Sequence, residues 1–264
     1  MELNAELLQR SYGLEPDLIS AAQESFSQLK AIAIGFSGKI CSGKDSVAQS
    51  TFEDFLPFSE VERDSFGADL KEELNQLIRF CARTIHSKST VELLAFSHEM
   101  QASPEAIAHT LSFIEAEVAQ GSLRRASDRT AGSRRALQHW GTQVRRAQDP
   151  NYWVKNPLAR TLERAARGVS SCFTDTRFVS EAESILAIGA PLIRLDVSPE
   201  EQSRRLAARD GLQLSEDSRN HQSETELDDY ERFSFRIDTD GYATPQQVAR
   251  EIAHRVAAEV SVLF

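Results

Sequence analysis

Short apolar runs bounded by glycine or polar clusters alternate along this chain with longer stretches whose apolar residues recur every three or four positions. The first kind of pattern predicts buried strands and the second predicts amphipathic helices. Strands are expected at 31–34, 58–66, 169–174, 191–197 and 233–237. A helix is expected over 15–30, where Leu14, Leu18, Ala21, Ala22 and Phe26 keep a helical period. Further helices are expected at 45–55, 68–83, 91–100, 104–120, 134–147, 152–167, 180–188, 199–210 and 244–260. Ser103 ahead of Pro104 reads as an N-cap with proline at the first helical position. The Arg- and Ser-rich stretch 122–133 and the polar stretch 211–229 read as loops.

Strands separated by helices imply an α/β fold of three α/β/α layers, with a parallel sheet covered on both faces. Ligands of such sheets sit beyond the carboxyl ends of the strands. That rule gathers the loop at Gly38, Asp69 after the second strand, Asp175 after the third and the polar segment after Val197 around one cleft. Residues 1–30 read as a helical extension and 31–264 as one domain, with a helical insertion over about 85–132.

Composition narrows the class. The 264 residues suffice for one full core, and the net charge of −10 argues against a non-specific polynucleotide binder. The charge is uneven: residues 123–167 hold eleven Lys or Arg against three Asp or Glu, a local +8 that leaves −18 for the remainder. Cys41, Cys81 and Cys172 are too few and too far apart for a disulfide framework or a metal motif, which fits a reducing, intracellular setting. The first ten residues, MELNAELLQR, lack the apolar core of a signal peptide, and no apolar run reaches membrane-spanning length. A cytoplasmic protein is expected.

The stretch AIAIGFSGKICSGKDS, residues 31–46, carries the chemistry. A strand is followed by a glycine-rich turn and then by a helix start, and Gly38, Gly43 and Lys44 have the spacing of a phosphate-binding loop. Glycines permit positive φ and let backbone N–H groups turn inward around a phosphate, and a helix N-terminus adds a partial positive charge. Gly38, Lys39, Ser42, Gly43, Lys44, Asp45 and Ser46 are therefore the expected nucleotide-binding residues. The usual Ser or Thr after the lysine is Asp45 here, with Ser46 one step later. Asp45 reads either as a ligand of Mg²⁺, direct or through water, or as a helix cap.

Six stretches, in order, resemble one family. GKICSGKDS (residues 38–46) is similar to the loop of bacteriophage deoxynucleoside monophosphate kinases, where Asp often follows the lysine. SFGADLK (65–71) is similar to that family's acceptor-side segment, and LQHWGTQVRR (137–146) to its Leu-Gln and Gly-Thr helix with a following arginine. TDTRFVSEAE (174–183), HQSE (221–224) and DTDG (238–241) resemble its later motifs. Gln143 stands where the family commonly has Glu, Asp238 where it has Asn, and residues 1–30 have no counterpart.

The resemblance implies a P-loop kinase fold with a lid over about 199–231, and ATP and Mg²⁺ as cofactors. It implies donor-phosphate contacts from Lys44 and, in the lid, Arg205, with Arg204 and Arg209 beside it. The acceptor nucleotide would meet Asp69, Lys71, Gln138 and Arg146. Asp175 reads as a Mg²⁺ holder with Asp45 and Ser46, as an orienter of the acceptor oxygen, or as a helix cap. Arg177 reads as an acceptor-phosphate ligand or as a structural partner of Glu181, and Arg146 as a phosphate clamp or a solvated helix face. Trp140, Tyr152 and Trp153 read as core or as a base-stacking platform. The expected reaction is phosphorylation of a deoxynucleoside monophosphate by ATP. The rival acceptor is a hydroxymethylated base such as 5-hydroxymethyluracil within phage DNA, which the +8 segment favours and the overall −10 opposes. A non-catalytic nucleotide-binding regulator is the third reading, and a homodimer is compatible with each.

Overall fold

The computed structural model describes residues 2–56, 60–85, 87, 89–128, 130–210, 219–242 and 244–261. The chain forms two compact units, Met1–Phe66 with Val154–Phe264, and Gly67–Trp153. Along the chain the first unit opens with helices α1 (Ala5–Tyr12) and α2 (Pro16–Ser27), then strand β1 (Ala33–Ser37) and helix α3 (Lys44–Ser50). Helix α3 widens into a π-helical turn over Thr51–Phe55, and strand β2 (Val61–Asp64) follows. The expected strand from 58 is thus found from Val61 onward, and residues 57–59 lie outside the described part.

The second unit contains α4 (Gly67–Thr84), α5 (Thr90–Glu99), α6 (Pro104–Ser112), α7 (Glu115–Ala119) and α8 (Ala131–Gln138), the last continued by a π-helical segment His139–Arg146. The chain then returns to the first unit with α9 (Lys155–Ala166), β3 (Ser170–Thr176), α10 (Val179–Ala187), β4 (Leu192–Asp196), α11 (Pro199–Asp210), α12 (Gln222–Thr225), β5 (Phe235–Asp238) and α13 (Pro245–Ser261).

The five strands form one parallel sheet in the order β2-β3-β1-β4-β5. Period-two alternation assigns each side chain to a face. Ala33, Phe173 and Leu192 pack on one face with residues of α1, α2, α9 and α10, including Leu8, Phe26, Leu158 and Ile185. Ile34, Phe36, Cys172, Ile193 and Ile237 pack on the other with Val47, Phe52, Val248 and Ile252 of α3, its π-helical turn and α13. The chain is therefore mixed α/β, with three α/β/α layers. Helices α1 and α2 share the sheet's core. Helix α1 escaped the periodicity reading because only Leu8 and Tyr12, one turn apart, are buried in it.

Gly35 in the middle of β1 lets α10 approach, since a Cβ there would lie 2.8 Å from Ile185. The helix after β1 covers one face and the helix after the neighbouring β3 covers the other. The crevice between the carboxyl ends of β1 and β3 is thus a topological switch point, where open α/β sheets place their ligands.

Among its described residues the second unit's regular elements are all helices, with a core of Leu74, Leu77, Phe80, Phe96, Ile107 and Trp140. Trp140 and Trp153 are fully buried there, which makes them core. One carboxylate organises its polar centre. Glu73 accepts hydrogen bonds from Trp140 Nε1 at 2.7 Å, Arg145 Nε at 2.8 Å and Tyr152 Oη at 2.6 Å. The Arg145 guanidinium is stacked 4.8 Å from both the Trp140 and Tyr152 rings and donates to the Met100 and Gln101 carbonyls. Burial, then Glu73, pushes the Tyr152 hydroxyl up to about 12.

Removing one partner of a buried ion pair leaves the other charge uncompensated. Glu73→Ala should therefore destabilise the protein by about 3–5 kcal/mol. Urea denaturation checks this, and a loss below about 1 kcal/mol, the range of surface pairs, would assign the cluster a negligible role.

Candidate functional site

The site grows out of the end of β1. Gly38 has φ +150°, and a Cβ there would lie 2.5 Å from both the Leu195 carbonyl oxygen and Ser42 Oγ, so only glycine fits against β4. The chain turns through Lys39–Ser42, with the Ser42 amide donating to the Lys39 carbonyl at 3.1 Å. Cys41 sits in the left-handed region at φ +64°. Gly43, also left-handed at φ +89°, caps α3 and offers no capping side chain.

Lys44 is the first residue of α3 and only 7% exposed. Its ammonium donates to the Gly38 carbonyl at 2.6 Å and the Lys39 carbonyl at 2.8 Å, with Ser42 Oγ at 3.4 Å. Burial pushes its pKa down to about 7, Arg177 and Arg194 push in the same direction, and Asp45 and Asp175 oppose them.

Two carboxylates flank the loop, one from the first turn of α3 and one from the end of β3. Asp45 Oδ1 accepts from Thr174 Oγ1 at 2.7 Å and ties α3 to β3. Asp175 accepts from Ser65 Oγ at 2.5 Å and the Phe66 amide at 3.1 Å, which ties β3 to the end of β2. Ser46 is exposed on α3 beside Asp45. Among the described residues no group of three or more His, Cys, Asp or Glu forms a ready-made metal cage. Mg²⁺ does not require one, since it is commonly held by one or two carboxylates with phosphate oxygens and water. The hard oxygen donors Asp45, Ser46 and Asp175 suit that ion, and the glycine cradle with its lysine suits phosphate.

The arginines have specific partners. The amide of Arg177 donates to Glu181 Oε2 at 2.7 Å, while its guanidinium meets Glu224 and the Ser223 carbonyl. Arg205 bonds Glu201, the Cys41 carbonyl at 3.4 Å and Thr239 through Oγ1 and the carbonyl, both at 3.1 Å. Arg204 pairs with Glu201, and the side chain of Arg209 lies outside the described part, as do residues 211–218 of the expected lid.

The acceptor-side residues belong to the second unit. Asp69 is in the first turn of α4, Lys71 is exposed on α4, and Gln138 is the last residue of α8. Arg146 ends the π-helical segment, where it donates to the Pro150 carbonyl at 3.4 Å. Its neighbour Arg145 is the buried one.

Four residues of the site were not anticipated. Arg194, buried in β4, donates to Ser37 Oγ at 3.1 Å and Asp228 at 2.8 Å. An arginine interrupting the apolar run Leu192–Asp196 was the available signal. Gln202 on α11 donates to the Ile40 carbonyl at 3.0 Å. Glu224, whose motif HQSE was noted without a role, and Asp228 reach the loop from a stretch that reads as a polar loop.

A lysine whose folded pKa lies below its unfolded value binds fewer protons folded than unfolded between the two values, so stability rises with pH across that window. For Lys44 the window runs from about 7 to its ordinary 10.5. Wild type should therefore gain thermal stability relative to Lys44→Met as pH is raised through this range, and a pH-independent difference would contradict the buried ammonium.

No protein-family model matches the chain, and no curated protein matches it.

Proposed function

We propose that this chain is an ATP- and Mg²⁺-dependent phosphotransferase that converts a deoxynucleoside monophosphate to its diphosphate. The observation that carries this reading is the loop Gly38–Lys44 at the switch point of a parallel sheet, with a buried lysine at its helix junction. Phosphoryl transfer asks for positioning and charge neutralisation more than for covalent chemistry. An oxygen of the acceptor phosphate attacks the γ-phosphorus in line, the bond to the β,γ-bridging oxygen breaks, and ADP leaves.

Lys44 would lie against the β- and γ-phosphates, where added negative charge favours its protonated form. Asp45, Ser46 and Asp175 would hold Mg²⁺, which when bound neutralises phosphate charge. Arg177 would move onto the transferred group or the acceptor phosphate. The monophosphate acceptor is supported by the resemblance of residues 65–71, 137–146 and 174–183 to segments of phage nucleotide kinases.

The basic segment 123–167 supports the small acceptor over DNA once its partners are counted. Arg145 is paired with Glu73, and Arg160 and Arg164 are paired with Asp64, so part of the +8 is neutralised by acids from outside the segment. DNA binding would weaken with salt by about 0.9 log units per phosphate contact for each tenfold rise in salt.

Labelled ATP supplied with each deoxynucleoside monophosphate, and with hydroxymethylated duplex DNA, across a salt series tests the proposal. Transfer to at least one monophosphate is expected. Transfer to DNA alone, steeply salt-sensitive, would replace this reading with the rival one. Lys44→Ala should lower turnover by roughly two orders of magnitude or more with the fold retained. Asp45→Ala should raise the Mg²⁺ concentration needed for half-maximal rate, and an unchanged metal dependence would leave Asp45 only its bond to Thr174.

A further inference from the structure

Four donors that a phosphate could use at this loop already hold carboxylates. Glu224 Oε2 accepts from the Ile40 amide at 3.0 Å, and its Oε1 meets the Arg177 guanidinium. Four residues on, Asp228 Oδ2 accepts from Lys39 Nζ at 2.8 Å and Oδ1 from Arg194 Nη2 at 2.8 Å. Each carboxylate thus bridges one donor of the loop and one guanidinium, from β4 or from the residue after β3. A main-chain N–H, an ammonium and two guanidinia form the donor set of a polyphosphate site.

The spacing fits the task. Residues four apart share one side of a helical turn, and α12 with the turn after it puts Glu224 and Asp228 there together. Leu227 between them is buried in the sheet's core and fastens the segment. Glu226 points its bond elsewhere, to the Val179 amide at 2.8 Å. Lys44 meanwhile is satisfied by the loop's own carbonyls. The Lys39 and Lys44 ammonium groups and the Ile40 amide are therefore all engaged.

We propose that Glu224 and Asp228 form an acidic strap that occupies the phosphate loop and must give way before a polyphosphate binds, so that the free protein is self-inhibited. This rests on the reading of Gly38–Lys44 as a phosphate loop. A triphosphate brings more charge and more acceptor oxygens than two carboxylates, so it displaces them, but its apparent affinity is lowered by the fraction of molecules that are closed. Displacement returns the Ile40 amide, Lys39, Arg177 and Arg194 to the incoming phosphates.

The test is calorimetric titration of the full chain with Mg-ATP and, separately, with inorganic tripolyphosphate. Wild type is compared with Glu224→Gln, Asp228→Asn and the control Glu226→Gln, each first shown to melt cooperatively. Glu224→Gln should bind both probes about tenfold more tightly, in keeping with a lost charge-assisted pair. Asp228→Asn should change affinity in the same direction and serves as the readout if Glu224→Gln does not fold. Glu226→Gln should match wild type. Wild type that binds the probes while Glu224→Gln or Asp228→Asn binds them equally or more weakly would overturn the strap and leave the loop standing. Equal tightening by Glu226→Gln would also overturn it, as a general charge effect. Failure of every protein to bind either probe would overturn the loop and the strap together.

Discussion

An ammonium group withdrawn from water needs oxygens in place of its hydration, and two main-chain carbonyls and a serine hydroxyl supply them for Lys44, although burial still lowers its pKa to about 7. Much of the sheet's carboxyl edge follows from it. The carbonyls of Gly38 and Lys39 can converge on one nitrogen only if the chain reverses tightly after β1. That reversal needs the glycine that touches the Leu195 carbonyl, the left-handed Cys41 and the left-handed Gly43. Helix α3 then starts where Lys44 must be, and Asp45, one residue on, reaches Thr174 of β3.

Around this point the first unit places paired charges at strand ends. Asp64 at the end of β2 receives Arg160 bidentately and Arg164 at 2.6 Å, and Asp175 receives the two residues that follow β2. Arg194 is shared between Ser37, Asp196 and Asp228. Apart from the Arg194–Asp196 bond within β4, each of these bonds joins elements distant in sequence, so each fixes a strand end relative to its neighbour rather than stabilising a helix locally. The second unit solves a similar problem differently, by wrapping a single guanidinium in two aromatic rings and a carboxylate.

The strands and most of the helices were legible because burial leaves a trace in the sequence, a short continuous apolar run at β1 and β4 and a helical spacing of buried residues at α11. The phosphate loop was legible because glycine spacing reports backbone geometry directly. Three features left weaker traces. The expected helix 104–120 is two helices, since Phe113 and Ile114 turn the chain although their residue types do not forbid a helix. The π-helical segment His139–Arg146 shifts the register of side chains, so the sequence could not say which of Arg145 and Arg146 is buried. Glu224 and Asp228 were invisible as loop partners because an acid in a polar stretch looks the same whether it faces solvent or a distant lysine.

The loop's contacts also bear on the order in which the molecule assembles. Its bonds span 129 residues from Asp45 to Thr174, 157 from Ser37 to Arg194 and 189 from Lys39 to Asp228. Closing such separations costs chain entropy before any contact forms, which slows folding and favours local helices first. The loop therefore takes shape only after β3 and β4 have docked on β1, late on the folding path. A ligand held there would have little to grip in the folding transition state. It would lengthen the lifetime of the folded protein by slowing unfolding and leave the folding rate nearly untouched.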